Sequence, residues 1–197
     1  MVMNAKSILR RRLGGGSIAA WFVVMLVIGA GLLTKHVVAM PRPQAALLAP
    51  ALQNLRAPNQ RESWLAVHVL SSDCRCSQRV AEHLATSERP KGWSEIVLWV
   101  GDDAPPAGLA DRFDLRRATA AALASYGVEA APSMILADPE GNIRYSGGYT
   151  DRKQGPMIED QRILRAVHDS QHVSNLPLFG CAVSARLKSD LAVLPTF

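Results

Sequence analysis

A chain of 197 residues, 48% of them hydrophobic, has room for one domain with a sizeable core and for extensions beyond it. Its net charge of +5 resides in residues 1–35, where Lys6, Arg10, Arg11, Arg12 and Lys35 stand without an acid, so the remainder is formally neutral. A neutral domain lacks the broad cationic footprint of a nucleic-acid binder, and that class is set aside.

In chain order, residues 1–12 read as a basic cytoplasmic segment. The run from Leu13 to Thr34 carries no charge and is long enough to cross a bilayer as a transmembrane anchor over 13–34. Basic residues ahead of it place the N-terminus in the cytoplasm. The rest would face the periplasm or exterior from a single pass through the inner (cytoplasmic) membrane. The competing reading is a signal peptide cut after Ala39, since Val37-Val38-Ala39 fits the small-residue rule. Under either reading the domain is exported. Residues 35–61 hold Pro41, Pro43, Pro50 and Pro58 and lack a firm apolar period, so they read as a linker with a short helix near Ala45–Leu55.

From Trp64 the order alternates. An apolar strand, 64–70, leads to a helix at about 75–87 with Val80 and Leu84 on one face. A strand follows at 95–101, and Asp102-Asp103-Ala104-Pro105-Pro106 breaks the chain. An Ala-rich helix is expected over about 115–125, ending near Gly127. Residues 133–137 form a third strand, and Asp138-Pro139-Glu140-Gly141-Asn142 turns into a fourth at 143–146, closed by Gly147-Gly148. A last helix is expected over about 156–172. The order β-α-β-α-β-β-α implies an α/β fold, a mixed sheet with helices on both faces.

The chain has three cysteines, Cys74, Cys76 and Cys181, too few for a disulfide framework at this length. Cys74 and Cys76 stand where the first strand turns into its helix. There the unpaired N–H groups and the dipole of a helix start favour the thiolate, the nucleophile of disulfide exchange and the ligand of soft metals. Two residues apart in a regular helix point to nearly opposite sides, so a Cys74–Cys76 bridge requires Cys74 to lie outside the helix and carries strain, which makes it oxidising. Cys181 sits in a loop entering a final helix of the C-terminal extension, 173–197.

With these motifs in place, residues 62–172 resemble a thioredoxin-fold domain of the membrane-tethered, exported type. The likeness rests on the strand-to-helix cysteines, the segment Gly127-Val128-Glu129-Ala130-Ala131-Pro132-Ser133, and the Asp138–Gly148 hairpin. It implies a cis peptide bond at Pro132, lying against the cysteines, and a Pro132 loop that holds a substrate backbone as an added strand. It departs from the family at the motif itself: Cys74-Arg75-Cys76-Ser77 puts serine where the second cysteine of Cys-x-x-Cys belongs. His68, six residues before Cys74, falls where many thioredoxins carry a buried proton-shuttling acid, work that a histidine can do; a core histidine with a backbone partner is the alternative.

The reading is a membrane-anchored thiol–disulfide oxidoreductase acting on the protein thiols or disulfides of the exported compartment. Cys74 is its nucleophile, Cys76 or Cys181 resolves the mixed disulfide, and no cofactor is needed. One alternative is a copper metallochaperone with Cys74, Cys76 and His68 as ligands; another is a thioredoxin-like adaptor without turnover. The sequence carries no signal for oligomeric state.

Overall fold

The computed structural model describes residues 17–31, 39–60 and 62–192. Helix α1 spans residues 17–31 and exposes its apolar side chains, among them Trp21, Phe22 and Leu26. Among the described residues no helix is long and apolar enough to cross a membrane; the ends of the 13–34 run, and the basic segment 1–12, lie outside them.

From Ala39 onward the described residues form one compact unit. Its centre is a five-stranded mixed sheet in the order β3 (Asp114–Arg117), β2 (Trp93–Val100), β1 (Trp64–Ser71), β5 (Ser133–Ala137), β6 (Ile143–Gly147). Strand β1 (Trp64–Ser71) is buried at every position after the first and lies parallel to β2 (Trp93–Val100) and antiparallel to β5 (Ser133–Ala137). Burial on both faces explains why β1 reads as a continuous apolar run. Strand β6 (Ile143–Gly147) pairs antiparallel with β5 through the expected turn, in which the Asn142 N–H donates to Asp138 Oδ1 at 2.7 Å.

Alternation along the strands divides the core in two. One face gathers Ala66, Leu70, Val97, Trp99, Met134 and Leu136 under α3 (Arg75–Thr86) and α6 (Asp160–His168). Helix α3 contributes Val80, Ala81 and Leu84, and α6 contributes Ile163, Leu164 and Val167, each set at i, i+1, i+4 on one helical face. The other face gathers Leu65, Val67, Val69, Ile96, Leu98 and Ile135 under α2 (Ala45–Leu55) and α5 (Ala120–Ser125).

Four expectations change. The linker over 35–61 does not hang free: α2, at the bounds read from sequence, buries Leu48, Ala51 and Leu52 on the sheet despite Pro50 within it. Burying a leucine contributes about 1.5–3 kcal/mol, enough to hold a helix whose proline removes one hydrogen bond. Gly127 seats the start of α2; at φ +73° it lets its carbonyl accept the Gln44 N–H, and a Cβ there would stand 2.8 Å from Gln44 Cβ. The helix expected at 115–125 begins only at Ala120, capped by Thr119, whose side chain accepts the Ala122 N–H. The residues ahead of it form α4 (Leu109–Arg112) and an edge strand, β3 (Asp114–Arg117), parallel to β2, which its charged, half-exposed sequence conceals. The last core helix is shorter than 156–172, because residues 150–159 form a loop.

The C-terminal extension is part of the same unit. Gly148 N–H donates to Leu176 O, the Met40 N–H to Leu178 O at 2.7 Å, and β7 (Cys181–Ala182) pairs antiparallel with β4 (Ala130–Ala131). Helix α7 (Ala185–Ala192) follows.

Candidate functional site

Strand β1 ends at Ser71, and three residues later Cys74 caps α3 in an extended conformation (φ −116°, ψ 111°), its carbonyl accepting the Gln78 N–H. Cys74 is therefore outside the regular helix and Cys76 within it, the arrangement under which the two sulfurs can approach. Pro132 follows β4 through a cis bond, as the resemblance implies. As a thiol, Cys74 Sγ lies 3.6 Å from the Ala131 carbonyl.

Cys181 arrives from the other end of the chain. The β4–β7 register sets it opposite Ala131, which brings its thiol onto Cys74. The structure thus joins the three cysteines around one sulfur. The three differ sharply in access: Cys74 has no exposed surface, Cys76 is half-buried, and Cys181 is exposed. Hydrogen bonds from the Cys181 thiol, and then from Cys76, hold the Cys74 thiol well below the ordinary thiol range, against the opposing effect of burial. Both donors are pushed up for the converse reason: each donates to Cys74, each is partly desolvated, and each is repelled by its negative charge. Among the three coupled thiols these hydrogen bonds favour negative charge on Cys74 over Cys76 and Cys181. Ser77, in the position of the missing second cysteine, is fully buried.

Cys76 opens on a cavity of about 360 Å³ shared with Arg75, Arg79, Pro132, Tyr149 and Phe179. Arg79 and Lys153 lend positive charge to the Cys76 side, opposing the rise of its thiol.

Both ring nitrogens of His68 are engaged by groups other than the cysteines: Nδ1 meets the Tyr149 hydroxyl at 2.7 Å and Nε2 meets Glu95 Oε2 at 3.0 Å. Among the described residues no group of three or more His, Cys, Asp or Glu is placed to hold a metal ion.

What sequence reasoning missed is the chain of polar groups to which His68 belongs. Glu95 also accepts from Arg89, Arg89 Nη1 donates to Asp160 Oδ2 at 2.5 Å, and Asp160 Oδ1 lies 2.9 Å from His83 Nε2. His83 is thereby a partner of a fully buried carboxylate and not a free solvated position. Burial pushes Glu95 up, but hydrogen bonds from His68 and Arg89 outweigh it and hold the carboxyl down at about 2. Tyr149, entirely buried, is pushed well above the ordinary phenol range by desolvation and stays neutral. Its hydroxyl joins His68 while its side chain lines the Cys76 cavity, so any link from His68 to the thiols runs through it. The one signal in the sequence was an aromatic directly after the Gly147-Gly148 pair that ends the hairpin.

No family model and no curated protein matches this chain. Among solved structures, a hypothetical protein from Sinorhizobium meliloti 1021 is similar in fold, with a TM-score of 0.51 and 21% identity over 64% of this chain and 81% of its own. A conserved protein from Geobacillus kaustophilus, described as uncharacterized, is 18% identical over 62% of this chain and 77% of its own, at a TM-score of 0.49. The former likeness speaks to fold alone.

Proposed function

We propose that this chain is a thiol–disulfide oxidoreductase of the thioredoxin-like kind, anchored through residues 13–34 and acting on exported proteins. The observation that carries the reading is the convergence of Cys76 and Cys181 on one buried Cys74 beside a cis proline. A structural cysteine has no use for two thiol donors, whereas an exchange centre needs a thiolate and a resolving thiol within reach. The uncharged run behind a basic segment supports the anchor.

In the reducing direction the Cys74 thiolate attacks a client disulfide. A Cys74–client bond forms, the client S–S bond breaks, and the second client sulfur leaves as thiolate and takes a proton. Cys76 or Cys181 then loses its proton to solvent and attacks the Cys74 sulfur, releasing the client as a dithiol and leaving a protein disulfide. The client gains two electrons and the protein loses two; an external dithiol then reduces the protein disulfide by the same two exchange steps and leaves as a disulfide. Run backward, the same steps donate a disulfide.

The test is a redox titration of the full chain in detergent or lipid, with mass spectrometry to identify the linked cysteines. A reversible couple joining Cys74 to Cys76 or to Cys181 is the expected result. Absence of any dithiol couple overturns the reading.

A further inference from the structure

The small sheet beside Cys74 joins an interior strand of the fold to one from its C-terminal end. Ala130–Ala131 leads into the cis bond, and its partner is a strand from the far end of the chain, Cys181–Ala182. The attachment is largely main-chain. Val183 N–H donates to Glu129 O at 2.7 Å and Ser184 N–H donates to the same carbonyl at 3.2 Å. Gly180 lies so close that a Cβ there would stand 1.9 Å from Ala131 O and 2.7 Å from Pro132 Cδ. Side chains flank it alternately: Leu178 is buried, Phe179 lines the cavity, and Cys181 reaches Cys74. An ion pair between Arg186 and Glu129 closes the far end. Main-chain pairing plus side-chain pockets is how an extended peptide adds to a strand edge.

We propose that residues 178–183 are a resident peptide in the client's seat. The Ala130–Ala131 edge, which the resemblance assigns to a client backbone, is filled between cycles by the chain's own C-terminal strand. The inference rests on the thiol–disulfide reading and adds what controls access to its site. It accounts for an otherwise awkward fact: the Cys74 sulfur has no exposed surface, and a lifted segment would open a path to it. Cys181 occupies the place of the client sulfur, which makes it the resolving thiol as it returns. The close approach at Gly180 asks for a small residue just before the client cysteine, since a side chain there would meet the Ala131 carbonyl.

The test uses two full-length variants that loosen the segment from different ends, Gly180→Ala and Arg186→Glu, each checked for a native circular dichroism spectrum. Alkylation of Cys74 in the reduced protein is followed by mass spectrometry at about pH 10, above the ordinary thiol range, so that a changed thiol pKa does not set the rate. Either folded variant is expected to label Cys74 about tenfold faster than the parent, the ratio that a modest destabilisation of the closed form gives. A peptide copying residues 176–183, with serine for the cysteine, is then added at about millimolar concentration, the effective concentration of a tethered segment. It is expected to slow the labelling again. Labelling that stays slow in both variants, or that rises and is indifferent to the peptide, overturns the proposal. Neither readout involves turnover, so the two readings fail separately. Protection by the peptide in a protein without a dithiol couple would keep the docking strand and remove the oxidoreductase. A dithiol couple without protection would do the reverse.

Discussion

The two faces of the sheet are made from alternate residues of the same strands, yet they bury different chemistry. Toward α2 and α5 the core is hydrocarbon at its centre, with Leu48, Leu52, Leu65, Val67 and Ile96 packed together. Toward α3 and α6 the alternation places His68 between Ala66 and Leu70 and brings in Glu95, Arg89 and Asp160. The first face is held by area removed from water, which is non-directional. The second is held partly by a chain of charged hydrogen bonds that is stable only while every member has its partner. One end of that chain, Tyr149, reaches the cavity onto which Cys76 opens; the other, His83, reaches the surface.

The change that should break this comparison most strongly is Arg89→Leu. It removes the cation shared by Glu95 and Asp160, and a buried charge left without its partner costs about 4 kcal/mol. The same variant should alter the acid response. Glu95 is held down at about 2 from its ordinary 4.5, so its contribution is present above pH 4.5 and is lost as pH falls toward 2. Urea unfolding across that window should show the parent losing stability steeply and Arg89→Leu losing less, because its Glu95 keeps only His68. On the hydrocarbon face, Leu52→Ala should cost about 3 kcal/mol through lost burial and a cavity. That cost should be the same at pH 7 and at low pH, since no proton is linked to it. A pH-dependent penalty at Leu52 would mean that the faces are coupled through the sheet.

Within the polar chain, Tyr149→Phe should cost less, about 1 kcal/mol, because a single neutral hydrogen bond is lost while every charge keeps its partner. Chemical denaturation at pH 7 measures it. A penalty as large as that of Arg89→Leu would show that the chain cannot be divided.

The hydrocarbon face was also the readable one. The apolar runs of β1 and β2, the Ala45–Leu55 helix and the Asp138–Asn142 turn all follow from local pattern, since each residue's role there is decided by its neighbours in sequence. Strand β3 was hidden because an edge strand needs no apolar alternation, and Asp114-Leu115-Arg116-Arg117 offers none. The polar chain was hidden for a different reason: Arg89 and Asp160 are 71 residues apart, and nothing local marks either as buried. At the site, sequence brought forward all three cysteines and the proline, with Cys74 as the nucleophile, but carried no sign that Cys74 is fully buried. Its contact with Cys181 comes from a strand 107 residues further on, the numerical distance from Cys74 to Cys181, whose pairing no periodicity announces.

The smallest effect on folding, and the most direct on chemistry, is expected from Cys181→Ala. An exposed thiol contributes little packing, so the thermal midpoint should hardly move. Yet the Cys181 thiol is the foremost of the groups that stabilise the Cys74 thiolate, ahead of Cys76. Its loss should raise the pH at which Cys74 ionises, and Cys76→Ala should raise it by less. Thiolate absorbance against pH separates the two. The ordering matters because a general field at the start of α3 would act on Cys74 in both variants alike and leave the titration where it was. A larger rise on removing Cys181 than on removing Cys76 would instead place control of the thiolate in the C-terminal strand. The element that covers the sulfur would then also be the one that keeps it charged, and lifting it would both admit a partner and return Cys74 toward an ordinary, more intrinsically nucleophilic thiol.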